Sequence, residues 1–541
     1  MTIFRRHPVV ILVYSLVAVG LVWPGVRSPT EAVPGGLRTD LWNSLWSLDF
    51  AREALLGGQP PWTVDVLAWP QGGLLPPADP LGILFFVLFG GLGTALSYNL
   101  LVVGRLALCG FLAHRFAGEL AEAHGAQPEA AQAGAWVAGA AMTGAPVLLA
   151  AVHNGTSEAF NGAGLTCAVW LCWRAARGRG GLVPAALGLL WAALASWYSA
   201  VAAFLFAGLL AALSGRALPW LKRLGPMLLG MLLVLPWLLL VIDLLEPGAS
   251  LSAVDPTTLA STRDSVGAAD LGSWFGWQEA RDLAIRAPME TGQGYLHTTF
   301  VPWPLWVGFV AGLRGLWARE GALIVGGAAC FLLSLGSSLV LGSTEIPMPF
   351  ALLDGLPGFA TLALNWRFGT GTLLVLALIA ARAAAGWRPG SRWALILAVV
   401  LQTRLLSPVA GGVPAMDIRP EAALVALADA PDGAVVHLPM KGQQATLYAQ
   451  RIHRKPITAD LNSGGELGLV FWDEARDHLL RKDREGFVAA MEELGVRYLV
   501  VHVDPTLRAD PNWSLYRRIA DDFPALEPAS WSGEVEVYAL W

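Results

Sequence analysis

The stretch Leu37-Arg38-Thr39-Asp40-Leu41-Trp42-Asn43-Ser44-Leu45-Trp46 follows the first long apolar run and sets an acidic residue at the head of a helical pattern. Leu41, Leu45, Leu48 and Leu55 recur at three, four or seven residues. That spacing predicts an amphipathic helix lying on a membrane surface, with Asp40 at its N-terminal end. Upstream, Arg5 and Arg6 precede an apolar run that ends near Pro24, as in a signal peptide. No Ala-x-Ala site follows, so the expectation is an uncleaved first membrane helix.

The composition agrees with a membrane setting. Of 541 residues, 55% are hydrophobic and 14% charged, with a mean hydropathy of +0.53, against roughly 25% charged residues in a soluble domain. A soluble globule is excluded. The net charge of −5 and the lack of a basic run leave no reason to expect a nucleic-acid partner. Cys109, Cys167, Cys172 and Cys330 all fall in apolar segments, which offers neither a disulfide framework nor a thiolate zinc site to the outer loops.

Spans are expected at 8–24, 94–116, 131–152, 158–175, 182–196, 198–214, 224–243, 301–314, 321–341, 368–384 and 393–409, about eleven in all. Lys and Arg resist translocation in short loops. With the N-terminus cytoplasmic, the inner connections hold Arg115; Arg174, Arg177 and Arg179; Arg216, Lys222 and Arg223; Arg314 and Arg319; and Arg382, Arg388 and Arg392. The outer turns near 153–157 and 197 hold none. The run Leu81 to Leu92 is then interfacial or re-entrant, because a further span would put those arginines outside. Loops 25–93, 244–300 and 342–367 share the extracytoplasmic side with residues 411–541. The expected fold is an α-helical polytopic inner-membrane protein, residues 1–410, followed by a small extracytoplasmic α/β domain.

Beyond the first helix come Gly57-Gly58-Gln59-Pro60-Pro61-Trp62, then Trp69-Pro70-Gln71-Gly72-Gly73, then Pro76-Pro77-Ala78-Asp79-Pro80-Leu81. An acid just past the first span, a "GG-x-P-x-W" turn and a "DPLG" lead into a second surface helix together resemble bacterial GT-C-type membrane glycosyltransferases, especially the YfhO-like branch. The resemblance implies a polyprenyl-phosphate or polyprenyl-diphosphate sugar donor, and a cell-envelope acceptor (polysaccharide, lipid or protein) at the outer membrane face. It also implies that the first-loop acid, here Asp40, acts as general base or positions the acceptor or a metal. The family's usual Gly-Asp is Thr39-Asp40 in this chain.

The chemistry of such a transfer needs a carboxylate to take the acceptor's proton and a cation to hold the departing phosphate. Asp40 suits the first role and Arg367, at the outer end of a span, the second. Asp40 also reads as a helix N-cap, Arg367 as a residue snorkelling to headgroups, and Asp79 as a turn or cap residue before Pro80 or a second acid. His153 and Glu158 bound a polar turn that is either a substrate contact or a capping turn. Loop 244–300 carries Asp264, Asp270, Trp274, Trp277, Glu279, Asp282, Tyr295 and His297, a mix suited to sugar contact or to an interfacial belt. Arg105, inside a span, is expected to pair with an acid on another helix. A divalent metal is left open, since no paired acid stands beside Asp40.

Residues 411–541 alternate strand-like runs, at Ala434 to Leu438, Val496 to Val501 and Val535 to Leu540, with helical stretches. They carry no nucleotide-binding or nucleophile motif. His437, His453, His478 and His502 read as scattered structural residues. Lys441, Gln443, Gln444, Tyr448, Arg451, His453 and loop 460–465 are either acceptor contacts or solvated surface. Two other function classes fit the composition: a transporter or flippase, disfavoured because no internal repeat is found, and a non-catalytic assembly scaffold.

Overall fold

The computed structural model describes residues 7–36, 39–213, 220–245, 250–251, 256–263, 267–276, 296–341, 344–354, 356, 359, 362–407, 409–438, 445–459, 475, 477–478, 481, 483–502 and 535–541. Asp264, Trp277, Glu279, Asp282, Tyr295, Lys441, Gln443, Gln444 and loop 460–465 lie outside the described residues.

The elements up to the first bundle helix are α1 (His7–Val22), β1 (Ala32–Pro34), α2 (Leu41–Leu56), β2 (Thr63–Val64), β3 (Gly73–Leu74), α3 (Pro80–Phe89) and α4 (Thr94–Ala123). The helical bundle continues through α5 (Pro128–Thr143), α6 (Pro146–His153), α7 (Gly162–Ala176), α8 (Leu182–Ala195), α9 (Trp197–Leu213) and α10 (Trp220–Leu244). After the short α11 (Pro256–Thr262) come α12 (Trp303–Ser334), β4 (Ser338–Leu341), β5 (Thr344–Pro347), α13 (Gly369–Ala385) and α14 (Pro389–Leu406). The C-terminal part holds β6 (Ala415–Asp417), α15 (Ala422–Ala428), β7 (Ala434–Leu438), α16 (Ala445–His453), α17 (Arg484–Glu493), β8 (Val496–His502) and β9 (Val535–Ala539).

Among the described residues, five helices are long and apolar enough to cross a membrane, and four shorter apolar helices accompany them. Their outer faces are greasy: α10 exposes Leu232, Leu239 and Ile242, and α14 exposes Leu397 and Leu405. The expected span 131–152 is broken at Gly144–Ala145 into α5 and α6.

The longest helix, α12, is two limbs. Its Trp303 indole donates to the Phe275 carbonyl at 2.6 Å, while its Phe331 packs on Trp274 with centroids 5.0 Å apart. A straight helix would separate positions 303 and 331 by roughly 42 Å, yet both touch consecutive residues. The chain therefore doubles back at Glu320, whose φ of −119° and ψ of 24° leave the helical region. The two expected segments at 301–314 and 321–341 correspond to these limbs.

The strands β7 and β8 pair in parallel and β8 and β9 antiparallel, and the described residues beyond 410 also include helices α15 to α17. This part is not physically separate from the first loop. β1 pairs with β6, and the Val66–Trp69 backbone hydrogen-bonds to Ile457 and Ala459. One apolar core combines Trp46, Val64 and Leu67 with Leu424, Leu427, Val435, Tyr498 and Val537. The loop 25–93 thus shares an apolar core with residues beyond 410.

Candidate active site

Helix α2 packs three of its four spaced leucines on protein and leaves Leu55 exposed. Leu41, Leu45 and Leu48 are buried in protein, with Leu41 against Gly35 and Gly155 and Leu48 against Gly82. Gly155, at φ +68°, lets the 154–158 turn press on the start of α2, where a Cβ would sit 2.2 Å from the Leu41 Cα. The adjoining face of α2, with Leu48 at its edge, is turned onto a cavity.

At the head of α2 the capping work falls to Thr39. Its hydroxyl donates to the Gly36 carbonyl at 2.8 Å and accepts from the Leu41 amide at 3.4 Å. Asp40 occupies the N-cap position with φ −67° and ψ 0°, and its side chain makes no capping hydrogen bond. The cap reading of Asp40 loses its basis.

The cavity has a volume of about 420 Å³, within the range of small-molecule sites. Asp40, Asp79, Glu158 and Arg367 all line it, four expected site residues drawn from positions far apart in the chain. Glu158 Oε1 accepts from Arg367 Nη1 at 3.1 Å. Burial pushes the Glu158 carboxyl above its ordinary range, Arg367 pulls it back, and the nearby Asp79 and Asp40 charges push it up again. The Arg367 guanidinium lies over the rings of Tyr198, at 5.2 Å, and Trp366, at 5.9 Å. Its Nε meets no acceptor among the described residues.

Asp79 is differently placed. Both its oxygens receive Arg105, at 2.7 and 2.8 Å, and Oδ1 also accepts the Gly82 amide at 2.9 Å, capping α3. Arg105 donates further to the Ser157 carbonyl at 2.7 Å. The expected acid partner of Arg105 is thus Asp79, and the pair ties α3, α4 and the 154–158 turn together. Such a fully engaged carboxylate holds the wall of the cavity.

Among the remaining candidates, His153 lies beside Gly36 below the head of α2 and is not part of the cavity lining. His297 is buried edge-on to Trp366 at 5.4 Å, with its pKa pushed down to about 4 by burial and then by Arg367. Asn154 fixes its neighbour by accepting from the Leu296 amide and donating to the Leu296 carbonyl. Trp274 is fully buried on Phe331. His297 and Trp274 stand behind the Arg367 wall.

Three lining groups escaped the sequence reading: Asn43, Ser44 and Ser47 on α2, Tyr198 on α9, and an apolar wall of Ala193, Trp197, Trp237, Val241 and Leu245 from α8 to α10. The polar residues of α2 recur at helical spacing, a signal masked by the leucine stripe beside them. No group of three or more His, Cys, Asp or Glu among the described residues is arranged to hold a metal ion.

Three of the four C-terminal histidines come together, while His478 pairs with Asp483. His437 Nδ1 meets His502 Nε2 at 3.0 Å and His437 Nε2 meets His453 Nε2 at 3.2 Å, while His453 Nδ1 accepts the Lys455 amide. Strand pairing brings together positions far apart in sequence.

No protein-family profile and no curated protein sequence matches the chain. Solved structures of GT-C glycosyltransferases do resemble it. The arabinofuranosyltransferase AftD from Mycobacteria is 18% identical over 99% of this chain and 41% of its own, with a TM-score of 0.55. The archaeal oligosaccharyltransferase AglB from Archaeoglobus fulgidus is 13% identical over 96% and 72%, with a TM-score of 0.49. ArnT from Cupriavidus metallidurans is 13% identical over 98% of both chains, at 0.47. The likeness to AftD, of which this chain spans less than half, is one of fold alone.

Proposed function

We propose that the protein is an integral-membrane glycosyltransferase that moves a sugar from a polyprenyl-phosphate-type donor to a cell-envelope acceptor at the outer face of the inner membrane. The reading keeps the N-terminus cytoplasmic, about eleven spans within residues 1–410, residues 411–541 extracytoplasmic, and the resemblance to the YfhO-like branch. In support, Arg177 and Arg382 gather around His124 and Glu320 at the end of the bundle away from Asp40, as a cytoplasmic face requires.

The observation that carries the proposal is the convergence of Asp40, Glu158 and Arg367 on one cavity whose other wall, from α8 to α10, is apolar. That combination suits an amphiphile with a charged head. Helix α10, largely exposed along its length, offers the prenyl chain a path from the lipid. Arg367 grips the phosphate, and Glu158 holds the guanidinium in place.

In the transfer, an acceptor hydroxyl attacks the anomeric carbon. The new carbon–oxygen bond forms as the bond from that carbon to the phosphate oxygen breaks. Asp40 takes the hydroxyl proton, and the electron pair leaves with the phosphate, whose growing charge Arg367 meets.

Membranes containing equal amounts of wild type or Asp40→Asn, offered a panel of polyprenyl-phosphate sugars, test this. Consumption of one donor by wild type only is the expected result. Equal consumption by both proteins would remove Asp40 from the mechanism, and no consumption of any donor would favour a scaffold or transporter.

A further inference from the structure

Helix α2 presents more to the cavity than Asp40. Asp40, Asn43, Ser44, Ser47, Leu48 and Ala51 all line it, and at 100° per residue they fall in one stripe about 140° wide and roughly 16 Å long. Amphipathic helices ordinarily turn such a stripe to water. Here it lines a partly open cavity together with Pro61, Leu75, Pro76, Pro77, Trp197 and Trp237. Ser47 donates to Asn43 Oδ1 at 3.0 Å, which orients the Asn43 side chain. The Asn43 amide nitrogen and the Ser44 hydroxyl make no hydrogen bond to other described residues.

Beyond the group of Asp40, Asp79, Glu158 and Arg367, every residue lining the cavity is uncharged. The stripe offers amides and hydroxyls, which both give and accept hydrogen bonds, as sugar hydroxyls do. The indoles and prolines of the same cavity offer flat apolar surfaces to the carbon faces of a sugar ring. A charged acceptor would leave its charge unpaired in this part of the cavity, at substantial cost.

Resting on the glycosyltransferase reading, we infer that the acceptor is a neutral saccharide, held along α2 by Asn43, Ser44 and Ser47 so that one hydroxyl reaches Asp40. The three side chains are specificity-determining contacts, and the charged end of the cavity is left to the donor phosphate.

The test uses the full chain in nanodiscs. Binding of neutral di- to hexasaccharides (glucans, mannans, galactans and arabinans) is measured beside binding of undecaprenyl phosphate and of an uncharged peptide. The variants are Asn43→Ala with Ser47→Ala, which deletes contacts, and Ser47→Trp, which fills the stripe without relying on lost hydrogen bonds. At least one saccharide class should bind wild type, and both stripe variants should weaken it about tenfold or more while leaving undecaprenyl phosphate unaffected. Arg367→Ala should do the reverse. Saccharide affinity unchanged in both stripe variants would overturn the inference, as would binding of the peptide in preference to every saccharide. If no saccharide binds while undecaprenyl phosphate binds through Arg367, the inference falls and the donor reading stands; if neither binds, both fall.

Discussion

The two ends of the helical bundle each bury a carboxylate against an arginine, and they use the pair in opposite ways. At the end away from Asp40, Glu320 is only 3% exposed and both its oxygens are taken. Oε1 contacts His124 Nε2 at 2.7 Å and Arg177 Nη2 at 2.6 Å, and Oε2 accepts from the Trp173 indole at 3.0 Å. This network clamps the point where α12 reverses. At the other end, Glu158 and Arg367 share one 3.1 Å contact beside a 420 Å³ cavity, with the guanidinium Nε still lacking a described acceptor. Arg177 Nε lacks a described acceptor as well, so what suits the second cluster to a ligand is the open space that Arg367 and Glu158 line.

That contrast sets the order of expected effects. Asp40→Asn should lower transfer by about 10²- to 10⁴-fold, the usual worth of a general base, with little change in thermal stability because no capping bond is lost. Arg367→Ala should lower it by about 10²- to 10³-fold, as loss of a charge-stabilising donor does. Steady-state donor assays on purified protein, paired with melting curves, check both. Asp79→Ala should do the converse, destabilising the fold by about 3–5 kcal/mol because it strands the buried Arg105, and Glu320→Gln, which weakens the hold on the half-buried Arg177 and on His124, should destabilise it by less. Melting curves and detergent-resistant yield would read that loss. If Glu320→Gln left stability intact but abolished transfer, the division between the two ends would be wrong.

The smallest effect concerns pH. Burial holds the imidazole of His437 well below its ordinary pKa, and that of His453 is pushed down to about 3. Both groups stay neutral when folded, so their contribution to stability is complete above about 6.5 and is lost as pH falls from there toward the folded values. Hydrogen exchange of β7 and α16 should therefore quicken between pH 6.5 and 4, and less so in His453→Gln. An unchanged exchange rate across that window would show that the histidine chain does not govern this region.

Much of the bundle was readable from local pattern. Apolar runs marked α1, α4, α7 to α10, α13 and α14 within a few residues, because burial in lipid or protein needs only composition. The membrane charge at Arg105 also announced a buried partner, since an unpaired guanidinium there is too costly to keep. What stayed hidden depends on contacts between distant segments. The leucines of α2 looked suited to lipid, but apolar spacing is the same whether a helix packs on lipid or on protein. Its polar stripe became meaningful only once α8 to α10 and the 154–158 turn closed over it. The histidine chain joins β7, α16 and β8 across strand pairings that no short-range pattern encodes, and Arg451, read as solvated surface or acceptor contact, instead clamps Asp49 and Glu53 on α2.

The most direct test is a structure of the full chain in nanodiscs with undecaprenyl phosphate bound. The phosphate is expected within hydrogen-bonding distance of Arg367, with the prenyl chain leaving past Trp237 and Val241 along α10. Density for the headgroup anywhere else, with the Asp40 cavity empty, would contradict the assignment of that cavity to the lipid-linked donor.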